Sequence, residues 1–425
     1  MNAWRSRSAA AVVAAVVGSG VSAGADGMDP PWSPEGLVPI PQWVRSIAPK
    51  PGEDGSIGDM ALFAEPSRNS PRRGVTARGS SLPLYGQHRG SGCTGPWWLV
   101  GPIAWTCSDS AVMSAAPPTT DDASAQPLAS YFFVTNSDAN AYESRDAVDQ
   151  GAPDRQLEVG WGVAVVDRAT IAGAQWARTS KGLWIASTDL AAARVSTFHG
   201  ELLDGRLPDL AWVVTDGATV WPTAAGPPKG RRVKPLSVRS RFEVVRVHEE
   251  LNDMVRIDDG AWVKKGDIAR PSLGAPPDEV VGPRERWIDV DRASQTLVAY
   301  EGSTPLYATL VSTGRYPDPT TLTPAGVHRV WIKLLASDMG HAERDDADAS
   351  YALEDVPYVQ FFDHAIGFHG TYWHSDFGHA RSHGCVNLSV ADARWLFAFT
   401  SPKLPAPWTA AAPTSADPGT VVRVR

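Results

Sequence analysis

The chain has no basic excess, no long apolar run and no metal-binding spacing, and it has few cysteines. With 39 Lys and Arg against 47 Asp and Glu its formal charge is −8, which argues against a nucleic-acid partner, because that partnership rests on clustered positive charge. The apolar run at residues 9–17 falls well short of the ~20 residues that a spanning helix needs, so stable membrane insertion is not expected. No cysteine follows that run, which argues against a lipid-anchored form. Neither His-Glu-x-x-His nor a paired-cysteine zinc spacing occurs, and no metal or cofactor is expected. Phenylalanine is scarce beside tryptophan, 11 against 17, in a chain with 35 Pro and 38 Gly. That mixture favours short strands, many turns and small barrels anchored by tryptophan.

What is present begins with a leader. Arg5 and Arg7, the apolar run, and the small residues Val21, Ser22, Ala23, Gly24 and Ala25 form the pattern of a signal peptide over residues 1–25. Its expected destination is the periplasm or the cell wall. The three cysteines suit an oxidising compartment with one left over. Cys93 and Cys107 flank a short Trp-rich segment and are expected to form a disulfide, contributing on the order of 3 kcal/mol. Cys385 is the odd one, and its histidine-rich setting points to a reactive thiol.

Length alone suggests two to four domains. Residues 26–58 are rich in Pro, Gly and Ser and are expected to be a linker. Residues 59–114 carry short apolar runs between Gly and Pro, as a small β module stapled by the cysteine pair would. Beyond a second linker the chain repeats itself. Phe133-Val134-Thr135-Asn136 resembles Val213-Val214-Thr215-Asp216, and Leu183-Trp184-Ile185-Ala186 resembles Ala261-Trp262-Val263-Lys264. Two copies of one module are expected, at 128–205 and 209–272. Their Trp residues are expected to be core anchors of small barrels, with a glycan or peptide groove as the functional alternative.

From residue 286 to 425 the pattern is of alternating strands, beginning at Trp287-Ile288-Asp289-Val290 and closing at Thr420-Val421-Val422. Within it, residues 336–355 are strongly acidic, including Asp338, Asp345, Asp346, Asp348, Glu354 and Asp355. They form either a solvated loop or a lid that attracts an amine-bearing substrate. Ser389 with Asp392 is a capping-box pattern opening a helix, whose apolar stripe reads Leu388, Ala391, Trp395, Ala398, Phe399.

The chemistry concentrates between His369 and Asn387. A thiol attacks only as its thiolate, so Cys385 needs a base. His383 and Cys385 alternate as on a strand, but His369, at the end of an apolar run, is the better base. The Gly370 carbonyl can orient its other ring nitrogen. Backbone amides at the Gly384–Cys385 turn could hold an oxyanion, with Gly384 permitting the tight backbone. Five possible ligands, His369, His374, His379, His383 and Cys385, also suggest a zinc hydrolase, against which the absent zinc spacings weigh.

The pattern His-Gly-Thr at 369–371 with Ser-His-Gly-Cys-Val-Asn at 382–387 resembles the catalytic domain of the L,D-transpeptidases (YkuD type). Val311-Ser312-Thr313-Gly314 and the Thr323-Pro324-x-Gly326 turn extend the resemblance across 286–425. It implies a mainly β protein: a YkuD-like β-sandwich catalytic domain with a short helix after the cysteine motif. In residues 128–205 and 209–272, a terminal Trp-hydrophobic-x-x-x-Asp-hydrophobic strand resembles the bacterial SH3-like barrel, and residues 59–114 are a candidate third copy. Two or three such modules would precede the catalytic domain.

The resemblance further implies an enzyme acting on peptidoglycan stem peptides as donor and acceptor, in cell-wall organisation and cell shape. Cys385 would be nucleophile, His369 base and Gly370 orienter. Ser382, His383 and Gly384 would shape the pocket and oxyanion site, and Asn387 would brace the turn. From the residues themselves, Tyr372 and Trp373 either line the substrate cleft or pack beneath it, and His374, a further cleft candidate, and His379 sit in a Gly- and Asp-containing loop where a solvated or structural place is the alternative. Attack by water in place of an amine would make the enzyme an L,D-carboxypeptidase, and an inactive site would leave a cell-wall binding protein.

Overall fold

The computed structural model describes residues 36–40, 44–52, 56–120, 129–225, 234–258, 260–315, 319–340 and 352–425. The signal-peptide stretch, 1–25, lies outside the described residues. The fold is mainly β.

Three segments follow one strand plan. In the middle one, Ser130–Val134 pairs with Gly162–Ile171 on one side and Leu190–Ala192 on the other. The ladder continues through Ala174–Thr179 to Trp184–Ala186, and Asn140–Tyr142 returns to Trp184–Ala186. In the next segment Leu210–Val213 pairs with Val244–Leu251 and Ile268–Ala269, and the ladder continues through Met254–Ile257 to Ala261–Lys264. The same plan recurs nearest the N-terminus. Ser46–Pro49 pairs with Leu82–Pro83 and Ala111–Ser114, Gly86–His88 leads through Trp97–Gly101 to Ala104–Cys107, and Phe63 returns to Trp105. In each copy a single 3-10 turn precedes the last strand: Ser108–Ser110, Ser187–Asp189 and Lys265–Asp267. Trp105, Trp184 and Trp262 hold equivalent buried places just before that turn, where a large flat side chain fills a small barrel.

The first copy thus begins at Ser46, inside the stretch expected to be linker. Prolines at 49 and 51 mask the strand in sequence, yet Pro49 sits at a strand end, where its missing N–H costs little, and Ile47 is fully buried. Within this copy Cys93 and Cys107 are joined by a disulfide.

Residues 285–425 form two facing sheets. One has the order Glu201–Leu202, Thr304–Leu310, Thr296–Glu301, Arg286–Asp291, Val421–Val424, Gly326–Arg329. Its first member comes from residues assigned by sequence to the 128–205 module, whose own ladder ends at Ala192. The other sheet runs from Trp408–Ala411 through Ile332–Gly340, Ala352–Asp363 and Ile366–Gly370 to Val386–Leu388. Ile288, Val290, Tyr358, Phe368, Val386 and Leu396 meet between the sheets and the following helix.

That helix spans Val390–Phe399, and Ser389 Oγ accepts the Asp392 N–H at 3.0 Å. The Asp392 carboxylate does not reach back to close a capping box. It is buried and accepts from Tyr307 Oη (2.6 Å), Thr309 Oγ1 (2.7 Å) and the Gly200 amide (2.8 Å), as a buried carboxylate must be satisfied. The core stripe is accordingly Asp392, Ala393, Leu396, Phe397 and Phe399, whereas Ala391 and Ala398 face outward. An aspartate in the buried row hid the true stripe. At the other end, the buried Lys333 Nζ donates to the Phe397 (2.5 Å) and Thr400 (3.2 Å) carbonyls, satisfying acceptors that a helix end leaves open.

All three modules dock on this sandwich. Arg72–Thr76 pairs with Trp408–Ala411, Gly162 pairs with Leu353, and Arg241 binds Asp376 at 3.1 Å. Replacing Cys93 and Cys107 together by serine should destabilise the first module by about 3 kcal/mol, seen as an earlier urea transition. An unshifted transition would show that the staple is redundant.

Candidate active site

The site grows from one strand pair. Ile366–Gly370 runs parallel to Val386–Leu388, with Phe368 opposite Val386, His369 opposite Asn387 and Gly370 opposite Leu388. Cys385 is the residue immediately before the second strand, so chain direction alone sets it beside the residues that precede His369. Its thiol donates toward the Ala365 carbonyl at 3.7 Å. Helix Val390–Phe399 lies so close behind that a Cβ at Gly370 would stand 3.3 Å from the Val390 Cα.

Residues 382–385 form a bend rather than the strand that alternation of His383 and Cys385 suggested. Ser382 Oγ locks it, accepting the Gly384 N–H at 3.0 Å and donating to the Cys385 carbonyl. Gly384 has φ +129°, and a Cβ there would meet Ile366 Cδ1 at 2.5 Å, so the bend requires glycine twice over. The Gly384 amide is given to Ser382 Oγ in this structure, and the Cys385 amide follows it at the same turn. Thr323 Oγ1 ties the bend to the opposite sheet through the Gly384 carbonyl, 2.7 Å, and the Gly314 amide, 2.9 Å.

His369 is buried, 2% exposed. Its Nδ1 faces the Gly370 carbonyl at 3.3 Å, and its ring stacks on Trp373 at 5.6 Å. A carbonyl can only accept, so Nδ1 carries the proton and Nε2 keeps its lone pair. Burial is the main cause that brings the His369 pKa down to about 4, with a smaller push from His374, against the opposing Gly370 carbonyl. Burial also pushes the Cys385 thiol above its ordinary value, with the Gly367 amide pulling the other way. At neutral pH the resting pair is therefore uncharged thiol and uncharged imidazole.

His374 receives the Asp376 N–H on Nδ1 at 3.1 Å and stands 2.9 Å from the Asn387 amide through Nε2. With Nδ1 accepting, Nε2 carries the proton, which calls for the Asn387 side-chain amide turned over so that Oδ1 takes the place of Nδ2, a turn that also gives a partner to the buried oxygen otherwise left without one. Asn387 thus braces His374 as well as the turn, whose strand it joins to Ser312 by two 2.9 Å backbone bonds. His383 is exposed and accepts from Arg315 at 2.9 Å, and His379 reaches the Val214 carbonyl at 3.2 Å. The five sequence-stretch ligands do not converge. Among the described residues, the ligand atoms that cluster within 4.8 Å belong to Cys93, Cys107 and Asp109, and both sulfurs are bonded to each other.

A cleft of about 720 Å³ opens above the pair. Cys385, His369, Ser382, His383, Asn387, Trp373 and His374 all line it. Tyr372 does not. It is 1% exposed, stacks on Tyr131 at 4.0 Å and donates to the Glu354 carbonyl at 3.1 Å, so it packs beneath the cleft. Of the acidic stretch, Asp338 is on the cleft wall and is held with Asp355 by Lys181; Asp345, Asp346 and Asp348 lie outside the described residues. Sequence reading missed Phe133 and Gly160, which reach the same cleft from the middle module. No local signal marks them, because their place depends on how the module docks.

The Cys385 thiol and the His369 imidazole thus line one cleft on the wall of the β-sandwich. Residues 285–424 match the family model of the L,D-transpeptidase catalytic domain, YkuD, a family of cysteine-dependent enzymes that act on peptidoglycan peptides. The match covers the C-terminal third of the chain. The Bacillus subtilis (strain 168) protein YciB, which carries the name of an L,D-transpeptidase, is 24% identical over 160 residues, 35% of this chain and 80% of that protein. Among solved structures, a mutant of the Enterococcus faecium L,D-transpeptidase is 24% identical with a TM-score of 0.25, covering 33% of this chain and 50% of that one. The isolated catalytic domain of the E. faecium enzyme is 26% identical with a TM-score of 0.26, covering 33% and 98%.

His374 supplies a prediction about acid stability. Its pKa is brought down to about 4, chiefly by burial, while in the unfolded chain it is near 6.5. Between those values the unfolded state binds the extra proton, so stability is lost as pH falls from about 6.5 to about 4. Replacing His374 by Gln should flatten that part of a melting-temperature profile; an unchanged slope would show that the buried imidazole does not titrate as described.

Proposed function

We propose that this chain is an exported peptidoglycan L,D-transpeptidase. Cys385 Sγ attacks the carbonyl carbon between the third residue of a stem tetrapeptide and its terminal D-alanine, and His369 Nε2 takes the thiol proton as the C–S bond forms. The C–N bond then breaks, the imidazolium returns the proton, and D-alanine leaves. An amine from a second stem peptide attacks the thioester, its proton passes through His369 to the departing sulfur, and a cross-link results.

One observation carries this reading above the rest. Cys385, the free cysteine of three, shares a cleft with a buried imidazole whose other nitrogen is held by a backbone carbonyl. The neutral resting pair suits it, because proton transfer then coincides with attack and no stable thiolate waits in the open cleft. Export is supported by the leader pattern and by the disulfide, which persists in an oxidising compartment. The shared strand plan of the three modules, with its 3-10 turn before the last strand, supports the SH3-like reading.

The test is incubation with a purified disaccharide-tetrapeptide and mass analysis of the products. Cross-linked dimers are expected, with free tripeptide as the mark of hydrolysis, and Cys385→Ala should abolish both. A carbapenem should add to the wild type at Cys385 and not to that variant. Absence of products and of adduct on folded protein would instead favour a non-catalytic wall-binding role.

A further inference from the structure

The middle module does more than dock. Phe133 and Gly160 belong to it, and both line the active-site cleft together with Met339, Gly340 and Leu353 of the adjoining sheet. The contact is built in several layers. Gly162 pairs with Leu353, and a Cβ at Gly162 would stand 2.7 Å from the Tyr372 hydroxyl oxygen and 2.9 Å from Leu353 Cδ2, so glycine is what lets these two side chains pack against the module strand. The Ala164 amide donates to Glu354 Oε2 at 3.1 Å, and Tyr131 Oη donates to the Asp355 carbonyl at 2.9 Å. Lys181 Nζ spans Asp338 at 2.9 Å and Asp355 at 3.1 Å, so one ammonium clasps both long strands of the cleft wall.

An unbroken aromatic series then leads from the module to the base. Tyr131 stacks on Tyr372 at 4.0 Å, Tyr372 meets Trp373 edge-on at 5.2 Å, and Trp373 stacks on His369 at 5.6 Å. The module therefore stands on the imidazole side of the cleft. That side matters for transfer, because the incoming amine must give its proton to His369 while its nitrogen attacks the thioester.

We infer that residues 130–193 form the acceptor-side wall of the cleft, with Phe133 as a specificity-determining residue that packs against the acceptor stem peptide. The inference rests on the proposed transpeptidase function. As the amine N–C bond forms and the C–S bond breaks, the aliphatic part of the acceptor lies along Phe133, and water, which has nothing to pack there, competes less well. Lys181 is a positioning residue: it touches no acceptor and acts by fixing the wall.

Once the acyl-enzyme exists, the ratio of dimer to tripeptide measures amine against water and does not depend on how fast acylation occurred. In full-length protein given disaccharide-tetrapeptide, Phe133→Ala should lower that ratio roughly tenfold. Lys181→Met should lower it in the same direction and raise the KM for acceptor more than it lowers kcat, and high salt should have a similar effect on the wild type. A wild-type ratio in both variants overturns the inference, whatever happens to acylation by a carbapenem. If the wild type yields neither dimer nor tripeptide, the transpeptidase reading itself fails, an outcome distinct from an active enzyme whose partition ignores Phe133.

Discussion

The parallel pairing of Ile366–Gly370 with Val386–Leu388 is the constraint on which the rest depends. Side chains alternate along each strand, so once Phe368 and Val386 commit to the core, His369 must emerge on the opposite face. Cys385 then has to begin the neighbouring strand on the same edge. A one-residue slip would bury the imidazole in the sandwich and turn Phe368 away from the core, so the hydrophobic core holds the register of His369 and Cys385. The helix behind the pair secures it through Ser389 at one end and the buried Lys333 Nζ at the other. Asp392 joins that helix to the second sheet, reaching Tyr307 and Thr309, and also to Gly200 of the linking segment.

Burial decides the electrostatics. Both members of the pair lose hydration, which lowers the pKa of one and raises that of the other, and the sum favours neutrality. Neighbouring charges do not reverse this, because Asp376 is engaged by Arg241 and Arg381, and Asp338 by Lys181. Ser382 ties the Gly384 amide and the Cys385 carbonyl together, so the shape of this turn is maintained by its own hydrogen bonds.

How much of this was legible in the sequence follows from range. The cysteine motif, the glycine at 384 and the orienting carbonyl of Gly370 are local, and nineteen consecutive residues display them. The two inner repeats were readable because Trp184 and Trp262 are each followed by an aspartate five residues later, at 189 and 267. In the first copy Trp105 is followed by Ser110, with Asp109 one place early, and the strand that opens the copy, Ser46–Pro49, hides among prolines, which masks where the copy begins. No local pattern tells whether Tyr372 lines the cleft or packs beneath it; its stacking on Tyr131, two hundred and more residues away in the chain, decides that. The same holds for Asn387, whose partner His374 is fixed by the turn at Asp376, and for Phe133. Contacts made by docking leave no periodicity to read.

The central claim is that Cys385 and His369 rest as an uncharged pair. Because Cys93 and Cys107 are bonded to each other, alkylation of the folded, oxidised protein reports a single thiol, and its rate against pH measures the thiolate population directly. The account predicts slow alkylation at neutral pH that rises only at alkaline pH, beyond the ordinary cysteine range. Fast alkylation at neutral pH, falling away only in acid, would mean a thiolate–imidazolium pair and would contradict it.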